Sequence, residues 1–555
     1  LSVRDNLSQM AAIIVIGGGP AGSTTATMLA RKGAQVLLLE RETFPRHHVG
    51  ESLLPASMPV LDELGVMPAI EQAGFLPKYG ATMVWGRDAT PWSWYFRETS
   101  RQHPHSYQVS RPQFDQLLLE NSRANGVDVR EGHRVTDVHF IEGRPTGVGY
   151  VSEDGNSATA HADLVVDASG QGGILGRTLN LRRWDSFFQN LAVYAYFEDA
   201  QSLPDPDETN IFIESYPHGW FWNIPLHTGQ MGTGAVVDSN TGQEGIQKLG
   251  LKGFLTSQIA QAPHTAEMLR NATLADGPFI VKDWSYTCEP MVGPGYVLVG
   301  DAACFVDPLF SSGVHLALMG GVMAAALATS ALKDPAMAQP AGRAYQELYL
   351  QEYGHFREMA RLFYTSNLNS DSYFWEARRL LGDEDAFSPR HAFIRAVAGQ
   401  PPRGYERAVL EHGQTPEEIT HSIQAVEKER AVRNKKLEAS LEALQRSEPA
   451  IYNSVPRLSP EITIERQPVL GEGEFVWGQV ITSGNGLPGI GQSTPCSPLV
   501  AMLVSQIDGI TTVSDLLAGL VQGLDENHAA QVIQSSLAAL RILYIDGSIQ
   551  EMKGL

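Results

Sequence analysis

Apolar and polar positions along the first 380 residues follow two alternating rhythms. Residues 11–17, Ala-Ala-Ile-Ile-Val-Ile-Gly, predict a buried strand. A glycine turn and a helix through Thr24–Ala30 follow, and Gln35–Glu40 closes a βαβ unit. Residues 113–124 repeat at helical spacing, while Val127–Arg130 and Val135–Phe140 alternate as strands. Asp163–Asp167 predicts a second buried strand, ending in Ala168-Ser169-Gly170. Several short aromatic-rich strands across 190–240 suit a separate antiparallel sheet. Tyr296–Asp301 reads as another buried strand. After a glycine-containing loop at 311–313, a long apolar helix runs through Leu316–Leu332.

The pattern changes near residue 380. Residues 405–447 are charged, helix-prone and poor in aromatics. Residues 455–495 are rich in Pro, Gly and Ser, and the expectation there is extended, loop-dominated chain. From Pro498 the order is helix, Asp508-Gly509 turn, helix, helix (Ala529–Leu540), then a short strand pair around Asp546-Gly547. The expected organisation is a core over 1–380, a helical extension over 381–454, and a linker with a winged-helix-like lid over 455–555. Within the core, dinucleotide-binding parts fall at about 10–60, 105–180 and 285–335, and a substrate sheet at about 61–104 and 181–284. The fold class is α/β: a Rossmann-like, three-layer GxGxxG domain, an interleaved antiparallel sheet, and a mainly helical C-terminal extension.

Composition narrows the partners. The 555 residues carry a formal net charge of −21, so no nucleic acid and no anionic membrane is expected as the main partner. No run of about 18 apolar residues stands out as a bilayer span. The polar N-terminus shows no basic region followed by an apolar stretch, and Cys288, Cys304 and Cys496 have neither metal nor disulfide-framework spacing. The expectation is a cytoplasmic, reduced protein without a metal site.

Gly17-x-Gly19-x-x-Gly22 gains weight from its context. It follows a buried strand, opens a helix at Ala21 and Gly22, and is answered 18 residues later by Glu40. Such glycines let backbone approach a pyrophosphate at a helix N-terminus, and the acid suits an adenosine ribose. Asp301, after Gly300 at the end of a buried strand, can hold ribityl or ribose hydroxyls, and Asp167-Ala-Ser-Gly170 adds a second turn against the cofactor. This order of strand, Gly-Asp and glycine loop resembles the FAD-dependent aromatic monooxygenases over about residues 10–330. The resemblance implies FAD, held also by Arg46 in Phe44-Pro-Arg46, Ser52 in Val49-Gly-Glu-Ser-Leu-Leu-Pro55, Arg111 and Gly313.

Three further segments resemble the flavin-dependent halogenases. Trp220-Phe-Trp222-Asn-Ile224-Pro225 matches their W-x-W-x-I-P motif, Phe75-Leu-Pro-Lys78-Tyr-Gly80 resembles the region of their active lysine, and Pro308-Leu-Phe-Ser-Ser-Gly313 resembles their halide loop. The resemblance implies FADH2, O2 and chloride or bromide as cofactors and co-substrates. Halide intercepts the flavin C4a-hydroperoxide, with the amides of Ser312 and Gly313 as halide donors in a backbone nest. Hypochlorous acid then reaches Lys78, which either holds it by hydrogen bonding or becomes a chloramine. Trp220, Trp222, Ile224 and Pro225 form a partition between flavin and organic substrate. Core packing is the plainer account of the tryptophans, and a solvated surface position the plainer account of Lys78.

Phe310 stands where tryptophan halogenases carry a glutamate. Its presence points to a self-activating substrate: a phenolic or tyrosine-derived ring, free or carrier-protein-tethered, with a pyrrole also open. Asp283 is either a covalent flavin link or a plain strand-edge acid. One dinucleotide fingerprint implies a separate flavin reductase supplying FADH2. An FAD-dependent monooxygenase or reductase of the same fold, and a flavoprotein scaffold that docks a carrier, are the alternatives.

Overall fold

The computed structural model describes residues 13–86, 90–99, 102–282, 285–365, 389–399, 439, 442, 448–471, 473–483, 493–545 and 547–555. Most of the 381–454 segment, and Asp283, lie outside the described residues. The chain divides into two compact units, one over Leu1–Tyr373 with Ile394–Gly399 and Glu472–Glu474, the other over the remainder.

The first unit is built on a six-stranded sheet ordered Val292–Gly293, Tyr296–Leu298, Leu164–Asp167, Ile13–Ile16, Val36–Leu39, Asp128–Arg130. The last five run parallel; Val292–Gly293 is an antiparallel edge. Ile13 lies opposite both Leu164 and Val36, so apolar rows face apolar rows, and all four residues of Ile13–Ile16 are buried. That two-sided burial is why the strand reads as a continuous apolar run rather than an alternating one. The helix Pro20–Arg31 packs against the helix Ser312–Lys333 at Gly321, where an added Cβ would lie 2.8 Å from Thr24. The helix Ala338–Thr365 buries Tyr345, Tyr349, Tyr353, Phe356 and Phe363, spaced three to seven apart along one face. Tyr349 donates to Leu316 O at 3.0 Å and accepts from Gly300 N at 2.9 Å, fixing the helix beside the Gly300-Asp301 turn.

A second, seven-stranded sheet has the order Thr273–Lys282, Asn190–Glu198, Met231–Asp238, Gly219–Pro225, Ile211–Tyr216, Gly80–Val84, Trp92–Tyr95. It is antiparallel except where Ile211–Tyr216 meets Gly80–Val84. One face packs on the helix Ser239–Ile259 through Leu191, Val193, Phe221, Ala235 and Phe254. The strand pair Leu76–Lys78 and Ser106–Gln108 bridges the two sheets' segments in sequence, with Lys78 opposite Ser106.

The second unit has its own core of Ile481, Val500, Leu503, Val504, Val513, Leu517, Leu540 and Leu543. Here the expectation of loop-dominated chain over 455–495 is corrected. Ile462–Leu470, Phe475–Ser483 and Ser493–Cys496 form a three-stranded antiparallel sheet, and Val455–Leu458 pairs with Ile549–Lys553. The turn-forming residues cluster between strands, and Pro468 sits on an edge strand, where no ladder N–H is needed. The strand pair expected around Asp546-Gly547 is also corrected. The helix Glu526–Ile545 runs up to that turn, and Ile549–Lys553 finds its partner nearly a hundred residues upstream.

One helix among the described residues, Ser312–Lys333, is long and apolar enough to cross a membrane. Most of it is buried in the protein, which corrects the reading that no such run exists. Among the described residues no cluster of His, Cys, Asp and Glu is placed to hold a metal ion.

Candidate active site

Sterics build the dinucleotide cradle. Gly17 has φ +103° and packs so tightly that a Cβ would collide with Ala168 O; at Gly22 it would collide with Gly17 O. Gly19 is the N-cap of the Pro20–Arg31 helix, and the N–H groups of Ala21 and Gly22 have no partner within it. Glu40 is buried and accepts from Gly18 N at 2.6 Å and Glu42 N at 2.9 Å, so it also holds the glycine turn in shape. Gly300 brings Asp301 up to this helix, since a Cβ there would lie 2.8 Å from that of Ala21. Burial pushes the Asp301 carboxyl up to about 6, with Arg111 and Arg182 pulling it down.

The flanking charges are paired. Arg111 donates to both oxygens of Asp115, at 2.8 and 3.0 Å, and to Val49 O at 2.7 Å. Arg46 reaches Asp115 at 3.2 Å, and its guanidinium lies 3.3 Å from where a Cβ on Gly19 would stand. Burial raises the Asp115 carboxyl, but Arg111 and then Arg46 outweigh it and hold it below the usual range. Two buried donors, Arg46 Nη1 and Ser52 Oγ, have no partner among the described residues. Collision-limited glycines, free helix N–H groups and unpartnered cationic and hydroxyl donors fit a pyrophosphate-bearing flavin.

The Val49–Pro55 stretch leads from this cradle to Lys78. Lys78 is 2% exposed, donates from Nζ to Leu53 O at 3.0 Å, and lies 5.5 Å from the Phe96 ring centre. Among the described residues no carboxylate pairs with it. Burial alone pulls the amine down to about 7. The surface-lysine account therefore fails on position.

Trp220, Trp222 and Ile224 share one face of their strand with a two-residue period, and all three are buried. Gly234 lies opposite Trp222 in the next strand, and a Cβ there would overlap the indole. Tyr194 and Tyr196 extend the same face; Tyr196 donates to the buried Glu51, joining it to the Gly50-Glu51-Ser52 stretch. Pro225 is a correction: the strand period puts it on the opposite face from the tryptophans, with Phe221 and Asn223. It lines a separate cavity of about 240 Å³ with Leu76 and Met231. His47 bonds Tyr194 at 3.0 Å and stacks on Phe279 at 4.2 Å.

The expected halide loop is a helix start, a second correction. Ser312 and Gly313 are the first two residues of the Ser312–Lys333 helix, and Ser311, at φ +58°, is its N-cap. Their N–H groups lack intrahelical partners and lie at the positive end of a 22-residue helix with no acid in its first turn. Gly313 is required there, since a Cβ would lie 2.8 Å from the Phe305 ring. Phe310 is buried, its ring 5.2 Å from that of Phe363.

The tryptophan halogenase family model matches residues 12–104 and 95–411. The chain belongs to the flavin-dependent halogenases. This halogenase is similar to the tryptophan 2-halogenase of Chondromyces crocatus, 36% identical over 383 residues, covering 67% of this chain and 71% of that protein. It is similar in structure to the myxobacterial chondrochloren halogenase CndH, a variant of FAD-dependent halogenases, at 41% identity and TM-score 0.63, over 71% of this chain and 91% of that one. CmlS, a flavin-dependent halogenase, aligns at 25% identity and TM-score 0.71 over 97% of this chain and 96% of that one. The halogenase is thus an FAD-dependent enzyme of halogenation.

Several residues around the halogenase's site carry no local motif. Asp115 is the shared anion of the cradle. Arg182 lies over Tyr286 at 4.0 Å and donates to Gln171 O at 2.8 Å. Asp307 and Tyr364 join the segment leading into the Ser312–Lys333 helix to Trp220. The regular spacing of buried aromatics over 345–363 is the one signal that marks the segment carrying Tyr364.

Proposed function

We propose that this halogenase chlorinates an electron-rich aromatic ring, phenolic or tyrosine-derived, with Lys78 as the residue that handles the oxidised halogen. The observation that carries the reading is Lys78 itself: a buried amine that no carboxylate pairs among the described residues, anchored on Leu53 O. When bound, reduced FAD supplies the electrons by which O2 and halide become hypohalous acid. A separate reductase provides that reduced flavin, in a reducing cytoplasm that three buried free thiols suit.

The chain's own residues then do three things. The N–H groups of Ser312 and Gly313 bind halide at a helix start. The face of Trp220, Trp222 and Ile224 excludes the organic ring from the flavin. Lys78, near half-neutral at pH 7, offers a lone pair to hypohalous acid while one N–H stays on Leu53 O. It either holds the acid by hydrogen bonding or takes the halogen as a haloamine, the displaced hydroxide leaving with an amine proton as water. The ring then attacks the halogen and loses its own proton. Phe310 provides no base for that last step, which favours a ring activated by its own hydroxyl; carrier tethering of that ring belongs to the same reading.

The relative named a tryptophan 2-halogenase favours a second reading, an indole substrate. A panel of phenols, tyrosine derivatives, a pyrrole and tryptophan, with externally reduced FAD and with chloride or bromide, separates them by mass spectrometry. Halogen exchange for hydrogen on a phenol supports the first reading. Product only from tryptophan replaces it with the second, and oxygen insertion without halide replaces both with a monooxygenase.

A further inference from the structure

The last turn of the Ala338–Thr365 helix joins the tryptophan strand to the start of the halide helix. Trp220 Nε1 donates to Tyr364 Oη at 2.6 Å, and Asn190 Nδ2 donates to the same oxygen at 3.3 Å. Tyr364 Oη donates in turn to Asp307 Oδ2 at 2.9 Å. Asp307 immediately precedes the Pro308–Gly313 segment, is 2% exposed, and accepts from Leu309 N on its other oxygen at 3.0 Å. The neighbouring Phe363 repeats the connection: its ring meets Phe310, and its carbonyl accepts from Trp85 Nε1 at 3.1 Å.

This arrangement answers an electrostatic difficulty. Asp307 precedes Ser312 by five residues, and a bare carboxylate on the segment that leads into a halide site works against an anion bound there. Both Asp307 oxygens are instead engaged, one by the loop's own N–H and one by a phenol. Burial, and then Asp307 itself, push the Tyr364 hydroxyl far above the ordinary tyrosine range, so the phenol stays a donor.

We infer that Tyr364 is a positioning residue for halide, capping the Asp307 carboxylate and tying the Pro308–Gly313 segment to the Trp220 strand. The inference rests on the halogenase reading above, and adds to it a residue outside every motif.

The test is halide dependence in purified full-length Tyr364→Phe loaded with FAD, using chloride and bromide. The expected result is a rise of about tenfold in halide KM, the scale of one hydrogen bond to a charged group, with kcat and the aromatic KM within about twofold. The halide concentration giving half the maximal rise in Tm moves by the same factor. Tyr364→Phe combined with Asp307→Asn removes the freed charge and brings halide KM back to within about threefold of the parent. An unchanged halide KM in Tyr364→Phe overturns the inference, as does a raised KM that Asp307→Asn does not relieve, since that is plain loss of structure. A parent protein that neither halogenates nor responds to halide in Tm overturns the halogenase reading, and this inference with it.

Discussion

At the dinucleotide end, Asp115 sits between Arg111 and Arg46, at 2.8 and 3.2 Å. At the lysine end, Lys78 is equally buried and has a carbonyl for company. The first arrangement holds the Asp115 carboxyl below its usual range; the second makes charge expensive and so leaves the amine free to be neutral. The glycine cradle and the Lys78 site, proposed here to hold the flavin and to handle the oxidised halogen, thus use burial to opposite ends within one unit.

Lys78→Ala carries the largest expected effect. Halogenation falls by about a thousandfold or more, the scale of losing a group that acts covalently or directly on the reacting atom. FAD affinity, set at the compensated end, stays within about threefold. A variant that halogenates at the parent rate removes Lys78 from the chemistry; one that loses FAD as well breaks the separation between the two ends.

Asp115→Asn attacks the other end. It leaves Arg111 and Arg46 buried without their shared anion, and breaking one partner of such a network costs about 3–5 kcal/mol. Urea unfolding of the apoprotein measures it, and FAD titration shows a parallel loss of affinity. Stability within about 1 kcal/mol of the parent shows the cradle's charges to be compensated by something else.

Lys78→Met sharpens the contrast through pH. The lysine's ordinary value of 10.5 drops to about 7 in the fold. Between those values the unfolded chain binds a proton that the folded chain lacks, so parent stability rises with pH across that window and is flat below it. The charged amine therefore costs the parent most below pH 7, about 3–5 kcal/mol by the size of the shift. Lys78→Met is expected to be more stable than the parent at pH 6–7, with the gap closing towards pH 10. Leu53 O loses one donor but keeps Ser106 Oγ at 2.8 Å, so no buried carbonyl is stranded. A gap independent of pH shows that Lys78 is not titrating in its burial site.

The two ends also differ in how much of each shows in the bare sequence. The cradle is local: Gly17, Gly19, Gly22 and Glu40 act within one βαβ unit, and backbone sterics dictate their types, so spacing reveals them. The halogen end is assembled across long separations. Lys78 meets Leu53 across 25 residues, Tyr364 meets Asp307 across 57, and Trp220 meets Tyr364 across 144. Family resemblance marks Lys78 and Trp220, but no periodicity shows which hydroxyl caps Asp307. The helix start at Ser312 was hidden for a different reason: glycine at the second position reads as a loop, yet a left-handed Ser311 lets the helix begin before it. In the second unit, Pro, Gly and Ser counts over 455–495 concealed alternating runs such as Ile462, Ile464 and Val480, because composition averages turns with the strands between them.

Gly234→Ala gives the smallest effect and the sharpest view of the wall. Gly234 stands opposite Trp222, and the indole lies over it where a Cβ would be. The ring neighbours that of Tyr194, at 6.2 Å between centroids, and must shift to admit the methyl group. Overpacking of this kind costs about 1–3 kcal/mol. Displacing the indole disturbs the face shared by Trp220, Trp222 and Ile224, while Lys78 keeps its bond to Leu53 O. The expected outcome is a modest drop in Tm, FAD affinity unchanged, and a rise in oxygenated relative to halogenated product by mass spectrometry. If Tm falls while the product ratio holds, Trp222 is packing for the sheet and the partition is made by Trp220 and Ile224 alone.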